Sequence, residues 1–142
     1  MTTDRLMIIG EAPSDDGAPL QGRIGRRISE YAGITFDDYL ESTDRYNLFP
    51  SPISGWFAEH AQQHAIDIWP MLVGRRTLLL GKNVTRAFGL APADLLLSWR
   101  RPIDEIEIAM LPHPSGRNLW WNEAENRVAA RHFLHRTFGS QL

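Results

Sequence analysis

The sequence predicts an α/β fold, a three-layer α/β/α sandwich around a central four-stranded parallel sheet. Short apolar runs alternate along the chain with longer segments that have the apolar spacing of amphipathic helices. Such alternation is typical of a parallel sheet that lies between two layers of helices. The 142 residues include no internal repeat and no low-complexity stretch, so we expect one domain over residues 1–142.

Four apolar runs are expected to form the strands, at residues 6–9, 46–49, 77–80 and 106–111. The first run ends at Gly10, the second at Pro50 and the third at Gly81, residue types that end or bend strands. The segment 91–101 stays open between helix and strand. Because the carboxyl ends of parallel strands meet at one edge of a sheet, the side chains that follow these runs should line one crevice.

The remaining periodic segments are expected to be helices, at residues 23–32, 35–40, 56–69, 83–88 and 122–137. Gly33 should end the first helix, because glycine readily adopts the left-handed conformation that closes a helix. Thr35 should cap the second helix, with Asp38 at the capping-box position. Asn122 should cap the last helix, with Glu125 three residues on.

The composition excludes several classes of protein. The chain has no cysteine, which excludes disulfides, thiolate nucleophiles and iron–sulfur clusters and fits a reducing, cytoplasmic location. No apolar run approaches the ~20 residues of a membrane span. Asp4 and Arg5 stand in the short apolar stretch at the start of the chain, so we expect no signal peptide.

The charge and the histidine spacing limit the partners that we expect. The net charge of −2 gives no overall basic field for nucleic acid. His60 and His64 are four residues apart but lack the acidic partner of an HExxH site, so we expect no metal. We also expect no cofactor, and a monomer.

Two loops about a hundred residues apart carry the polar groups of most interest. Glu11 lies in the loop Gly10-Glu11-Ala12-Pro13, directly after the first strand, and His113 begins the loop His113-Pro114-Ser115-Gly116 after the last strand. A carboxylate and an imidazole that reach the same crevice are a catalytic pair.

These loops and the segments between them resemble, in order, the motifs of the uracil-DNA glycosylase superfamily, most closely those of its iron–sulfur class. Gly10-Glu11-Ala12-Pro13 resembles the GEAPG motif, and residues 17–25 resemble G-x-PFVG-x-AG. Tyr46-Asn47-Leu48-Phe49-Pro50 resembles the strand whose Asn reads the base, residues 79–84 resemble LG-x-x-A, and His113-Pro114-Ser115 matches HPS. The resemblance covers most of the chain and implies the superfamily's fold. The chain departs from the class in its lack of four cluster cysteines, in a shorter acidic insert and in Leu20, which replaces a stacking phenylalanine.

The resemblance and the chemistry of the residue types give roles to the polar side chains. Glu11 would orient or activate the water that attacks the sugar carbon, with Asp15 and Asp16 as rival acids in the same loop. His113 would donate a hydrogen bond to the base, which gathers negative charge as it leaves. Asn47 would meet the base edge through its amide donor and acceptor, or would instead bond its own backbone.

Other residues of the same motifs are expected around the base. Ala12, Pro13 and Leu20 would line it, with Leu20 at the position that the class gives to the stacking ring. Phe49 would supply the stacking that Leu20 lacks, or would pack in the core.

The segment after His113 is expected to meet the nucleic acid. Ser115, Gly116 and Arg117 offer a hydroxyl, a close backbone and a guanidinium, which suit a phosphate. Trp120 and Trp121 would form a wedge or a platform for an unpaired base, or would staple the last helix to the sheet. We expect one of them to be buried and the other available.

The expected function is that of a DNA glycosylase that hydrolyses the N-glycosidic bond of uracil or another altered pyrimidine. The partner would be DNA, single-stranded or duplex, or a pyrimidine nucleotide. One alternative is an N-glycosidase or modifying enzyme that acts on a modified pyrimidine nucleotide, as a phage-type divergent member would. Another is a non-catalytic module of the same fold that binds nucleotides or nucleic acid.

Overall fold

The computed structural model describes residues 5–13, 22–115 and 117–139. One mixed sheet runs through it, in the order β2-β1-β3-β5-β4. Neighbouring strands are parallel except β4, which is antiparallel to β5. The strands are β1 (Leu6–Gly10), β2 (Thr43–Asn47), β3 (Arg75–Leu80), β4 (Arg100–Ile103) and β5 (Ile106–Leu111).

The α/β class is therefore confirmed, but the expectation of a four-stranded, all-parallel sheet is wrong. The four expected strands form and pair in parallel, while β4 adds an antiparallel fifth strand at one edge. All four residues of β4 are exposed, so this strand has no apolar pattern to reveal it in the sequence. It joins β5 through the tight turn 104–105, where Glu105 has a φ of 71°.

Helices and short turns connect these strands. They are α1 (Arg23–Ala32), α2 (Phe36–Ser42), α3 (Ala58–Ile68), α4 (Lys82–Ala87), α5 (Pro92–Leu95) and α6 (Ala124–Gly139), with 3₁₀ turns at Trp69–Leu72 and Leu119–Asn122.

The expected ends of α1 and α2 are confirmed, whereas the expected start of α6 is wrong. Gly33 ends α1 in the left-handed conformation, and the Thr35 hydroxyl accepts a hydrogen bond from the Asp38 amide at 3.0 Å. Asn122 does not cap α6, because it belongs to the preceding 3₁₀ turn and α6 begins two residues later. Asn118 caps that 3₁₀ turn instead, its side chain accepting from the Trp120 amide.

Helices cover both faces of the sheet, which gives the expected layering. Alternate residues of the buried strands point to opposite faces, as the pleat requires. On one face Met7, Ile9 and Leu79 pack with residues of α3 and α4. On the other, Ile8 and Leu78 pack with residues of α1, α2 and α6.

The chain order reverses at β1, and this reversal sets the place of the crevice. Strand β2 lies on one side of β1, whereas β3 and then β5 lie on the other. In open α/β sheets, ligands bind at such a switch point, outside the carboxyl ends of the strands. The residues that follow β1, β2, β3 and β5 therefore surround the candidate site.

No helix among residues 5–13, 22–115 and 117–139 has the length and apolar character that a membrane crossing requires.

Candidate active site

The structure brings Glu11 and His113 to the same edge of the sheet. Glu11 directly follows β1, and His113 follows β5 by two residues, with the end of β3 between them. Both side chains are half-buried. Burial lowers the pKa of His113, and the negative charge of Glu11 acts in the opposite direction. The carboxylate and the imidazole are thus close enough to interact electrostatically.

Gly81, at the end of β3, allows His113 to approach this closely. Its φ is 96°, a conformation that favours glycine, and its amide donates to the Leu111 carbonyl at 2.8 Å. A Cβ at position 81 would lie 3.2 Å from the Cβ of His113. A side chain at position 81 would crowd His113. Glycine therefore suits both the positive φ of the turn and the close approach of His113.

Three donors hold the main-chain carbonyl of His113. They are the Ser115 amide at 2.9 Å, the Asn118 side-chain amide at 3.1 Å and the Trp121 indole N–H at 2.9 Å. Three bonds to one carbonyl oxygen fix the backbone that carries the imidazole, which is the preorganisation that a catalytic donor needs.

The adjacent tryptophans occupy different environments. Trp121 is buried, packs 4.8 Å from the ring of Tyr31 and reaches the His113 carbonyl. Trp120 is half-buried and lies edge-on to Trp121 at 4.8 Å. Trp121 therefore has a structural role, but it ties the loop after His113 to the core, whereas the expected role was to staple the last helix to the sheet. Trp120 keeps part of its surface exposed to solvent.

Asn47 ends β2 and carries the least satisfied polar group near this edge. It pairs in register with Gly10, the residue before Glu11. Both polar atoms of its amide are buried, and neither has a hydrogen-bond partner among the described residues. Buried polar groups are nearly always paired, so this amide is available to bind a water molecule or a ligand.

The site includes one residue that the sequence pattern did not single out. Asn83, the second residue of α4, donates from its side-chain amide to Oε2 of Glu11 at 3.4 Å. In the sequence this residue marks only the start of a helix after the turn at Gly81. It lies three residues beyond the end of a buried strand, a position similar to those of Glu11 and His113.

The other described residues that were expected to bind the base, Ala12, Pro13 and Phe49, are half-buried or part of the core. Ala12 and Pro13 are half-buried, and Ala12 packs against the core that contains Phe49. Phe49 is 8% exposed and lies edge-on to Trp56 and His64, which is the core-packing alternative. Its amide donates to the Glu11 carbonyl at 2.9 Å, so its backbone still holds the loop that carries Glu11.

The expected phosphate-binding residues that the structure describes, Ser115 and Arg117, lie beyond His113. Ser115 is half-buried and Arg117 is exposed. Leu119, which the sequence reasoning passed over, is 75% exposed. An exposed leucine beside a candidate site is a residue type that can enter a base stack. Asp15, Leu20 and Gly116 lie outside the described residues.

Within residues 5–13, 22–115 and 117–139, no group of three or more His, Asp or Glu side chains has the arrangement of a metal site. The ring of His60 lies 6.2 Å from Phe57, and that of His64 lies 5.2 Å from Phe49.

Comparisons of the chain with known protein families and with curated proteins identify no relative.

Proposed function

We propose that this protein hydrolyses the N-glycosidic bond of uracil or another altered pyrimidine in DNA. The observation that carries the proposal is the juxtaposition of Glu11 and His113 at one sheet edge, beside the orphan amide of Asn47. A carboxylate can serve the sugar, a neutral imidazole can serve the departing base, and an unpaired amide can bind the base edge.

His113 is suited to stabilise the departing base. The lowered pKa of its imidazole, caused by burial, keeps it neutral at pH 7. A neutral imidazole has one N–H donor and one acceptor nitrogen. That N–H can point to a carbonyl oxygen of the base, where negative charge accumulates only as the bond to the sugar breaks. A donor held in place before the reaction stabilises this charge without reorganisation.

Glu11 is suited to the sugar side of the same bond. The sugar gains positive charge in the transition state, and a nearby carboxylate stabilises it through space. The same carboxylate accepts a proton from the water that attacks the sugar carbon. Water and base therefore meet the sugar from opposite sides, with Glu11 serving one and His113 the other.

Asn47 is suited to select the base. Its amide offers one donor and one acceptor, which match the alternating carbonyl and N–H groups of a pyrimidine edge. Because the amide lacks a partner among the described residues, base binding would satisfy two buried groups at once.

Replacing Asn47 with Ala is expected to separate binding from stability. The catalytic efficiency should fall about 10- to 100-fold, since a bidentate base contact is worth about 1–3 kcal/mol. The free energy of unfolding in urea should not decrease, because an orphan amide contributes no bond to the free protein.

Asn126→Ala is the matched control, since this side-chain amide donates to the Trp120 carbonyl at 2.9 Å. It should lower the free energy of unfolding by about 1 kcal/mol. A similar loss of stability in Asn47→Ala, with unchanged catalytic efficiency, would make Asn47 a structural residue and contradict the proposal.

The surface around Leu119 is suited to contact DNA beside the extruded nucleotide. Extrusion of a nucleotide costs a few kcal/mol of unstacking, least in damaged or single-stranded DNA. Leu119 can fill the gap that the base leaves, while Arg117 and Ser115 contact the flanking phosphate. The net charge of −2 favours a short or single-stranded substrate over a long duplex footprint.

Synthetic oligonucleotides test the proposal. Single- and double-stranded forms that contain uracil, hydroxymethyluracil or hypoxanthine are incubated with purified protein, and alkali-labile sites are measured. We expect strand scission at an altered pyrimidine, faster in the single strand. No release of base from any of these substrates or from dUMP would overturn the proposal.

A second candidate is an N-glycosidase of free pyrimidine nucleotides, which the net charge of −2 also favours. Release of base from dUMP but not from oligonucleotides identifies it. A rate of base release that falls steeply with salt identifies a polymer instead, because each phosphate contact releases counterions.

A further inference from the structure

We propose that Asn83 is a further catalytic residue, beside Glu11 and His113, and that it holds the attacking water together with Glu11. The inference deepens the proposed function and depends on it. It starts from the contact between the Asn83 amide and Oε2 of Glu11, at 3.4 Å and across 72 positions of the chain.

The fold brings the two residues together at neighbouring strand ends. Glu11 follows β1 and Asn83 follows β3 within three residues, and these strands pair in parallel through Ile8 and Leu78. Gly81 turns the chain from β3 into α4 so that the first turn of the helix faces the crevice. Asn83 is half-buried there, which restricts the directions in which its side chain can point.

The donor and acceptor pattern determines what the pair can bind. The Asn83 N–H group occupies Oε2 of Glu11, which leaves Oε1 of Glu11 and the Asn83 side-chain oxygen as acceptors. Neither oxygen accepts a hydrogen bond from another side chain among the described residues. A water molecule has two O–H donors, so it can bridge these two oxygens and keep a lone pair free.

The bridged water then attacks the sugar carbon. The water oxygen forms a bond to the sugar carbon as the carbon–nitrogen bond breaks, and the electron pair of that bond leaves with the base. One water proton passes to Glu11, and a proton from Glu11 or solvent then neutralises the base. Asn83 accepts the other water proton only as a hydrogen bond and orients the attack, while its N–H keeps Glu11 in position.

Replacing Asn83 with Asp tests the arrangement. A second carboxylate would stand beside Glu11, and two adjacent carboxylates do not both ionise readily. The acidic limb of the pH–rate profile for base release should move upward by about one pH unit or more. Asn83→Ala should lower kcat by about 10- to 100-fold, with KM within about twofold, because the water is held less well. Gln62→Glu makes the same amide-to-acid change on the exposed face of α3. It should change neither the acidic limb of the pH–rate profile nor kcat.

A titration of the free protein keeps this inference separate from the proposed function. Among the described residues, the imidazole of His113 responds to the charge of Glu11, so its titration is followed by NMR. Asn83→Asp adds a carboxylate beside Glu11, so the His113 midpoint should move to higher pH whether or not base is released. Release of base with an unmoved acidic limb and an unmoved midpoint would overturn the role of Asn83 alone. No release by the wild-type protein would overturn the proposed function, and the role of Asn83 in holding water with it.

Discussion

Replacing Glu11 with Gln is expected to lower the rate of base release about 10²- to 10⁴-fold, the usual contribution of general acid–base catalysis. The substitution keeps the size of the side chain and an oxygen that can accept from Asn83. It removes the negative charge that stabilises the cationic sugar and the basic oxygen that takes the water proton. The loss should appear in single-turnover release of uracil from a labelled oligonucleotide, while the dissociation constant for that oligonucleotide changes little.

Glu30→Gln provides the control for this experiment. Glu30 is exposed on α1, so this substitution removes the same charge at a position away from the site. Its rate should equal that of the wild-type protein. Full activity in Glu11→Gln would contradict the mechanism and move the search for the catalytic acid to Asp15, in the same loop.

Replacing His113 with Ala is expected to lower kcat about 10²- to 10³-fold, the usual effect of losing one donor to a developing anion. The loss should depend on the base. A more acidic leaving group carries its negative charge with less help, so 5-fluorouracil should be released with a smaller loss than uracil. The ratio of the two losses measures the charge that His113 stabilises.

His132→Ala is the matched control, since His132 is exposed on α6. Equal losses for uracil and 5-fluorouracil in His113→Ala would assign the histidine to the structure of its loop and not to the leaving base. In that case the main role of His113 would be structural, through its main-chain carbonyl, which accepts hydrogen bonds from Asn118 and Trp121.

The sequence reveals the buried strands because each is a continuous apolar run. Strands β1, β3 and β5 have apolar neighbours on both faces, and their positions are predicted to within two residues. The edge strands are different. Strand β2 begins three residues before the predicted start, since Thr43 and Asp44 belong to it although they give no apolar signal. Strand β4 is exposed throughout and depends on pairing with β5, which no local pattern shows.

The candidate site divides in the same way. Glu11 and His113 come within two residues of the ends of apolar runs, and Asn47 stands in the short strand predicted over residues 46–49, so the sequence is enough to place them near one edge of a parallel sheet. The contact between Asn83 and Glu11 joins residues 72 positions apart and depends on how α4 leaves the turn at Gly81. The roles of Asn118 and Trp121 depend equally on a loop whose path is set by the His113 carbonyl.

The most direct test is a pH titration of the His113 imidazole by NMR, in the wild-type protein and in Glu11→Gln. Burial lowers the pKa of His113 while the carboxylate of Glu11 opposes this, so removal of the carboxylate should lower the midpoint further. The same His113 midpoint in both proteins would mean that the acid and the imidazole do not face one crevice, and would contradict the case for base removal.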